Sequence, residues 1–255
     1  MIKYHGTPIT PIDIFLQAVT NKNVLVSFAN PQDINNAFAN CNKVILDNGA
    51  FTTWKKRPIR KYEGAFGRVI EDYYDVRFWK NYWEDYYSWV DKHRNCVNFF
   101  IPDVIDGTEE ENDFLISQYI SKYGYKGKGI PVWHVAESLE RLEYLSEVFG
   151  YIAFGSSGEY SELGTYEWHK RMNEAMKVVC DENGKPKVKI HMLRCLNPKI
   201  FTRYPFYSGD STNLARNHNI GDGKSQWKHI LQRIEKYNSP EYYIFKKYYE
   251  TKSLF

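Results

Sequence analysis

Three aspartates end short apolar runs in this chain. Val44-Ile45-Leu46 stops at Asp47 and breaks into Asn48-Gly49. Asn98-Phe99-Phe100-Ile101-Pro102 ends on Asp103, and Pro205-Phe206-Tyr207-Ser208-Gly209 ends on Asp210. A buried strand that ends on a carboxylate delivers the acid to the rim of a sheet, and Gly49 lets a ligand approach the backbone closely there. Paired carboxylates are the usual equipment for chemistry at a sugar's anomeric carbon. One attacks the carbon or stabilises an oxocarbenium ion, and the other moves a proton. A single strand-end aspartate is explained as well by a cap on the next helix or turn. Three in phase with a repeating strand–helix pattern favour one shared site.

Two further segments could serve such a site. Tyr151-Ile152-Ala153-Phe154 runs into Gly155-Ser156-Ser157-Gly158, a small-residue turn whose backbone N–H groups could hold a phosphate or a base edge. It carries no G-x-G-x-x-G fingerprint, and Ser156 and Ser157 lack the G-x-S-x-G elbow of a serine nucleophile. The stretch Lys55-Lys56-Arg57-Pro58-Ile59-Arg60-Lys61 has five cations in seven residues and directly follows the Asp47 run. Such runs are usually solvated loops. This one's place after a strand-end acid makes it the best candidate for phosphate contacts, with Arg203, Arg216, His218 and Lys224 flanking Asp210 as additions.

The elements that must position these groups alternate. Strand-like runs fall at 24–28, 44–46, 97–101, 130–135, 151–154 and 188–193, with a short one near 205–207. Helical patterns fall at 73–92, 109–122, 137–148, 164–179 and 225–249. Continuous apolar strands separated by amphipathic helices read as βαβ units around a parallel sheet. The expected fold is α/β, a (β/α)8 TIM-type barrel in regular or irregular form, as one domain over residues 1–255 with a closing helix at about 225–250. In that fold the site lies at the C-terminal ends of the strands, where the three aspartates sit. The aromatic residues at 73–89 follow helical spacing and read chiefly as packing on the barrel, with a few rings left for a base or a second subunit. Tyr242, Tyr243, Phe245, Tyr248 and Tyr249 read as a packed terminal helix or a homodimer contact.

Composition sets outer bounds. At 255 residues with a net charge of +3, bulk charge does not argue for nucleic acid, so local placement must. The aromatic share is 17%, with 21 Tyr and 7 Trp, and such rings both fill cores and stack on bases. Cys41, Cys96, Cys180 and Cys195 are widely spaced and no secretory h-region opens the chain, so a reduced cytoplasmic setting is expected. No apolar run reaches transmembrane length, so no membrane partner is expected. His191 and Cys195 lie near each other, but two ligands do not make a zinc site.

In their order along the chain, these motifs resemble the tRNA-guanine transglycosylase superfamily. The resemblance rests on Asp47-Asn48-Gly49-Ala50-Phe51, Asp103, Val132-Trp133-His134, Phe154-Gly155-Ser156-Ser157-Gly158 and Asp210-Ser211-Thr212, and covers roughly residues 23–216. The family's tRNA enzymes hold a structural zinc through a C-x-C-x-x-C cluster that this chain lacks. Its short length looks more like the DNA-directed branch, which includes deazapurine-in-DNA transglycosylases and proteins that excise modified bases. Where the family reads the base with Gln, this chain has His134. The resemblance implies that Asp210 attacks C1′ of a nucleotide and that Asp47 handles the proton or holds the leaving base. Asp103, His134 and the backbone of Gly155 and Ser156 would bind the base edge beside Phe51. Lys55, Lys56, Arg57, Arg60, Lys61 and Arg216 would face the phosphates. The implied partner is DNA, single-stranded or with a base flipped from the duplex. The implied activity is excision or exchange at an N-glycosidic bond, with no cofactor and no metal. A non-catalytic barrel that binds nucleic acid or a modified nucleotide, as a sensor or phage-defence component, is the alternative.

Overall fold

A computed structural model describes residues 1–56, 59–64, 67–79, 81–217 and 226–245; at 60, 62 and 70–73 the description is of the backbone. The chain begins β1 (Ile2–Gly6), α1 (Ile12–Val19), β2 (Asn23–Ser27), α2 (Ile34–Asn40), β3 (Lys43–Asp47) and α3 (Ala50–Lys55). A hairpin follows, β4 (Ile59–Glu63) and β5 (Val69–Tyr73), then α4 (Tyr82–Lys92), β6 (Asn98–Phe100), α5 (Glu109–Tyr123), β7 (Gly129–Ile130) and β8 (Val132–His134). The remainder is α6 (Leu139–Val148), β9 (Tyr151–Gly155), α7 (Tyr166–Val179), β10 (Lys189–Met192), α8 (Pro198–Phe201), β11 (Ser208–Ser211), α9 (Asn213–Asn217) and α10 (Gln226–Glu235).

Every strand outside the hairpin joins one parallel sheet, in the order β7-β6-β3-β2-β1-β11-β10-β9-β8. Its two edges belong to one interrupted segment. Pro131 separates β7 from β8 and cannot donate to a ladder. The half before it pairs with β6 and the half after it with β9. Counted as one, β7 and β8 make eight staves that follow chain order around a nearly closed ring, the TIM-type barrel expected.

Alternation along each stave separates two cores. Val24, Val26, Val44, Leu46, Phe99, Ile101, Ile152, Phe154, Ile190 and Met192 face outward into the layer beneath the helices. Between them Leu25, Ile45, Phe100 and Ala153 face inward, with Tyr4, Ile130 and Val132, and plug the lumen. Both faces of each parallel strand are dry, which is why the runs read as continuously apolar. The same phase carries Ser27, Asp47, His134, Gly155 and Asp210 inward, the first four at the C-terminal end of their strands. Helices begin at that end under clear caps. Thr108 and Glu111 form a capping box on α5, and the Ser138 and Thr165 hydroxyls accept from Arg141 N and Trp168 N on α6 and α7.

Several expectations are corrected. The 73–92 helix begins only at Tyr82, because Asn81 takes a left-handed φ of 63° and residues up to Tyr73 belong to the hairpin. The last strand is Ser208–Ser211 rather than 205–207, so Asp210 sits within a strand. The closing helix ends at Glu235, and Tyr243 packs back on Tyr204 without helical structure. Arg57, His218, Lys224, Tyr248 and Tyr249 lie outside the described residues. No described helix is long and apolar enough to cross a membrane.

Candidate active site at the C-terminal mouth

Asp47 closes β3 pointing inward. Its Oδ2 accepts from Gly49 N at 3.0 Å, and the Ser27 hydroxyl on the neighbouring stave also donates to it. Burial raises the Asp47 carboxyl to about 6. Those two donors pull it down, while the Asp210 and Asp103 charges push it up. Asp47 and Asp210 share the inward phase of β3 and β11, and Asn48, next to Asp47, holds Asp103. The turn after Asp47 is forced: Gly49 has a φ of 75°, and a Cβ there would stand 3.0 Å from Ala29 Cβ. Asn48 ties the mouth together. Its Oδ1 accepts from Ala50 N, and its Nδ2 donates to Ile101 O at 2.8 Å and to Asp103 Oδ1 at 2.7 Å.

Asp103 is buried between Asn48 and His134, whose Nε2 stands 3.0 Å from Asp103 Oδ2. That contact is close in charge terms but off-line for a hydrogen bond, and neither ring nitrogen has a hydrogen-bond partner among the described residues. Gly155 makes room for the ring, since a Cβ there would lie 3.0 Å from His134 Nδ1. His134 therefore backs Asp103 from inside the barrel, with both nitrogens out of solvent. Behind it, Glu137 accepts from His134 N, Asn112 Nδ2 and Arg141 Nη1. Asn112 also accepts from Val104 N, so the loops carrying Asp103 and His134 are fastened to one buried polar cluster.

Asp210 is almost fully buried. Its Oδ1 accepts from His191 Nε2 and from Arg194 N, both at 3.0 Å, and its Oδ2 accepts no hydrogen bond from a described residue. Arg194 takes a left-handed φ of 57° to present that N–H. Its Nη2 donates to Ser156 O at 2.8 Å and its guanidinium stands 5.9 Å from the Phe51 ring. Nothing in the sequence marks a left-handed arginine, and Arg194 was missed. The strain is worth about 1 kcal/mol for a residue with a Cβ. Arg194→Gly is thus expected to unfold in urea at higher midpoint than Arg194→Ala, although glycine is ordinarily the more costly substitution. Equal midpoints would contradict the backbone assignment.

The remaining sequence candidates divide. Phe51 is 40% exposed in the first turn of α3 and stacks under Lys55 Nζ at 4.3 Å, so both stand at the mouth. Lys56 lines a groove of about 690 Å³ beside the acids, with Phe28, Asn48, Thr52, Trp79 and Tyr82. The basic stretch runs from α3 into β4, within the long β3–α4 connection on this face; Lys61 is exposed there, and only the backbone of Arg60 is described. Arg216 is exposed on α9, which follows Asp210. The Ser156 hydroxyl accepts from Trp168 Nε1 of α7 at 2.9 Å, which leaves the Gly155–Ser156 backbone as the part available to a base edge. Arg203 contacts His169 of α7. The aromatic helix acts as packing with a polar purpose: Tyr86 and Tyr82 donate to the carbonyls of Phe100 and Asp103 and hold the end of β6.

No family model, curated protein or solved structure matches this chain.

Proposed function

We propose that this barrel cleaves the N-glycosidic bond of a nucleotide in DNA. The observation that carries the reading is the pair of acids at one mouth. Asp210 has one oxygen held by two donors and the other accepting from no described residue, and Asp47 has a carboxyl raised to about 6 by burial. Environments that set two carboxyls to opposite tasks are the mark of acid–nucleophile pairs. The motif order shared with the tRNA-guanine transglycosylase superfamily supports the same assignment.

The chemistry follows from those states. That second Asp210 oxygen attacks C1′, the C–N bond breaks, and its electron pair departs on the base nitrogen, which takes the Asp47 proton. Asp47, now a carboxylate, removes a proton from water as the water oxygen attacks C1′. Asp210 leaves as a carboxylate and an abasic sugar remains. A second base entering in place of water gives exchange. Asp103, presented by Asn48 and backed by His134, is the hydrogen-bonding edge for the base, and Phe51 and Arg194 flank the entrance.

The test is incubation of modified and unmodified DNA with the protein, with free base and abasic sites measured by mass spectrometry. Release that depends on enzyme supports the reading. Tight binding without release, unchanged in Asp47→Asn and Asp210→Asn, replaces it with a non-catalytic binding barrel.

The basic arm gives a separate expectation. Lys55→Ala and Lys56→Ala should each weaken DNA binding for every sequence tested and reduce the slope of log K against log salt by about 1. Fluorescence anisotropy across a salt series reads this. A slope that does not change would remove these lysines from the phosphate path.

A further inference from the structure

Below the acids, a chain of polar side chains descends the otherwise apolar lumen. His191 lies between Ile190 and Met192, which face outward, so its ring points in. It is fully buried, 4.9 Å from the Phe100 ring and 6.1 Å from that of Tyr4. Nε2 reaches Asp210 Oδ1 at 3.0 Å, and Nδ1 reaches Ser208 Oγ at 2.6 Å. Ser208 Oγ in turn lies 2.5 Å from the Tyr151 hydroxyl.

A buried imidazole in an apolar barrel core needs a reason, since an aliphatic residue would fill that space without a desolvation penalty. The hydrogen-bond inventory supplies one. A carboxylate only accepts, so Nε2 carries the proton shared with Asp210. With Nδ1 as the acceptor of the Ser208 hydroxyl and Ser208 accepting from Tyr151, every proton in the chain points toward Asp210. Burial raises the Tyr151 phenol, so this donor stays protonated across the neutral range.

We propose that His191, held in one orientation by Ser208 and Tyr151, is the positioning residue of Asp210, holding Oδ1 so that Oδ2 faces the mouth. This rests on the reading of Asp210 as the nucleophile. Among the described residues, the other charged or titratable groups around the pair are Asp47, Arg194 and Cys195 beside Asp210, and Tyr4 beside His191.

The test uses His191→Phe, which keeps a planar ring and removes the donor, and His191→Gln, which returns an N–H near the Nε2 position. Ionisation of Asp210 is followed by carboxyl carbon NMR, assigned by its loss in Asp210→Asn. The Phe variant is expected to raise the Asp210 midpoint by about one unit or more, and the Gln variant to restore it to within about half a unit. Base release should fall about ten- to a hundredfold in the Phe variant with KM within about threefold, the loss expected for one hydrogen bond to a charged group. The Gln variant should recover most of it. If the Phe variant does not fold, Ser208→Ala with His191→Gln carries the test, the Ser208 change moving the midpoint in the same direction by less. A midpoint unmoved in every folded variant, or a Gln variant no better than Phe, overturns the proposal. If the native protein releases no base, the proposed function fails while the carboxyl titration still judges the positioning.

Discussion

Asp210→Asn is expected to lower single-turnover base release by at least about 10⁴-fold, the scale on which loss of a covalent nucleophile is felt. The substitution isolates nucleophilicity. The Asn carbonyl can still accept from His191 Nε2 and Arg194 N, the two donors that hold Oδ1 in the native site. What disappears is the oxygen anion facing the mouth, replaced by an amide nitrogen that does not attack carbon. DNA affinity should stay within about threefold, because phosphate contacts carry most of it. Asp210→Ala is the harsher change: it leaves the His191 donor buried without an acceptor, a penalty of about 1–3 kcal/mol that should appear as lost stability. Mass spectrometry of released base, with denaturant melts of both variants, separates the two effects. Release from Asp210→Asn within about tenfold of native would assign the attack on C1′ to another group.

The parts of this design that could be read from the sequence are those where physics acts on contiguous residues. A strand dry on both faces must be apolar throughout, so β2, β3, β6 and β9 stand out as runs. Asp47 and Asp103 follow because an acid at the end of such a run can only point to the rim. β1 was missed because Lys3 and His5 interrupt Ile2, Tyr4 and Gly6, leaving a pattern no stronger than a loop's. The hairpin was missed for a related reason: Ile59-Arg60-Lys61-Tyr62-Glu63 is mostly charged, and its pairing with Val69–Tyr73 is antiparallel in a barrel otherwise read as parallel. Alternation does reveal His191 once β10 is placed, since outward Ile190 and Met192 turn it into the lumen. Arg194 carries no such trace. Its role rests on one backbone angle and on contacts with Asp210, Ser156 and Phe51, three distant parts of the chain.

Asp47→Asn is expected to trade activity for stability, with both halves set by the same carboxyl. As the acid of the first step, Asp47 works only while protonated. With its carboxyl at about 6, the single-turnover rate of base departure should fall about tenfold per unit above pH 6. Asn has no proton to give, so the variant should lose about 10²- to 10⁴-fold at pH 6 and lose that limb of the profile. The stability half has a definite sign. A folded carboxyl raised from 3.8 to about 6 binds its proton more tightly than the unfolded chain does. Its stabilising protonation is therefore fully present below pH 3.8 and lost as pH rises through 6. At neutral pH the native fold holds a charge it would rather neutralise, at a cost of order 3 kcal/mol by linkage. Removing that charge should raise the thermal midpoint at pH 7 by several degrees, and the gain should shrink steadily toward pH 4. Calorimetry across pH reads it directly. A variant less stable than native at pH 7 would mean that Asp47 is not strained by burial, and a rate profile unchanged by the substitution would mean that it is not the proton donor.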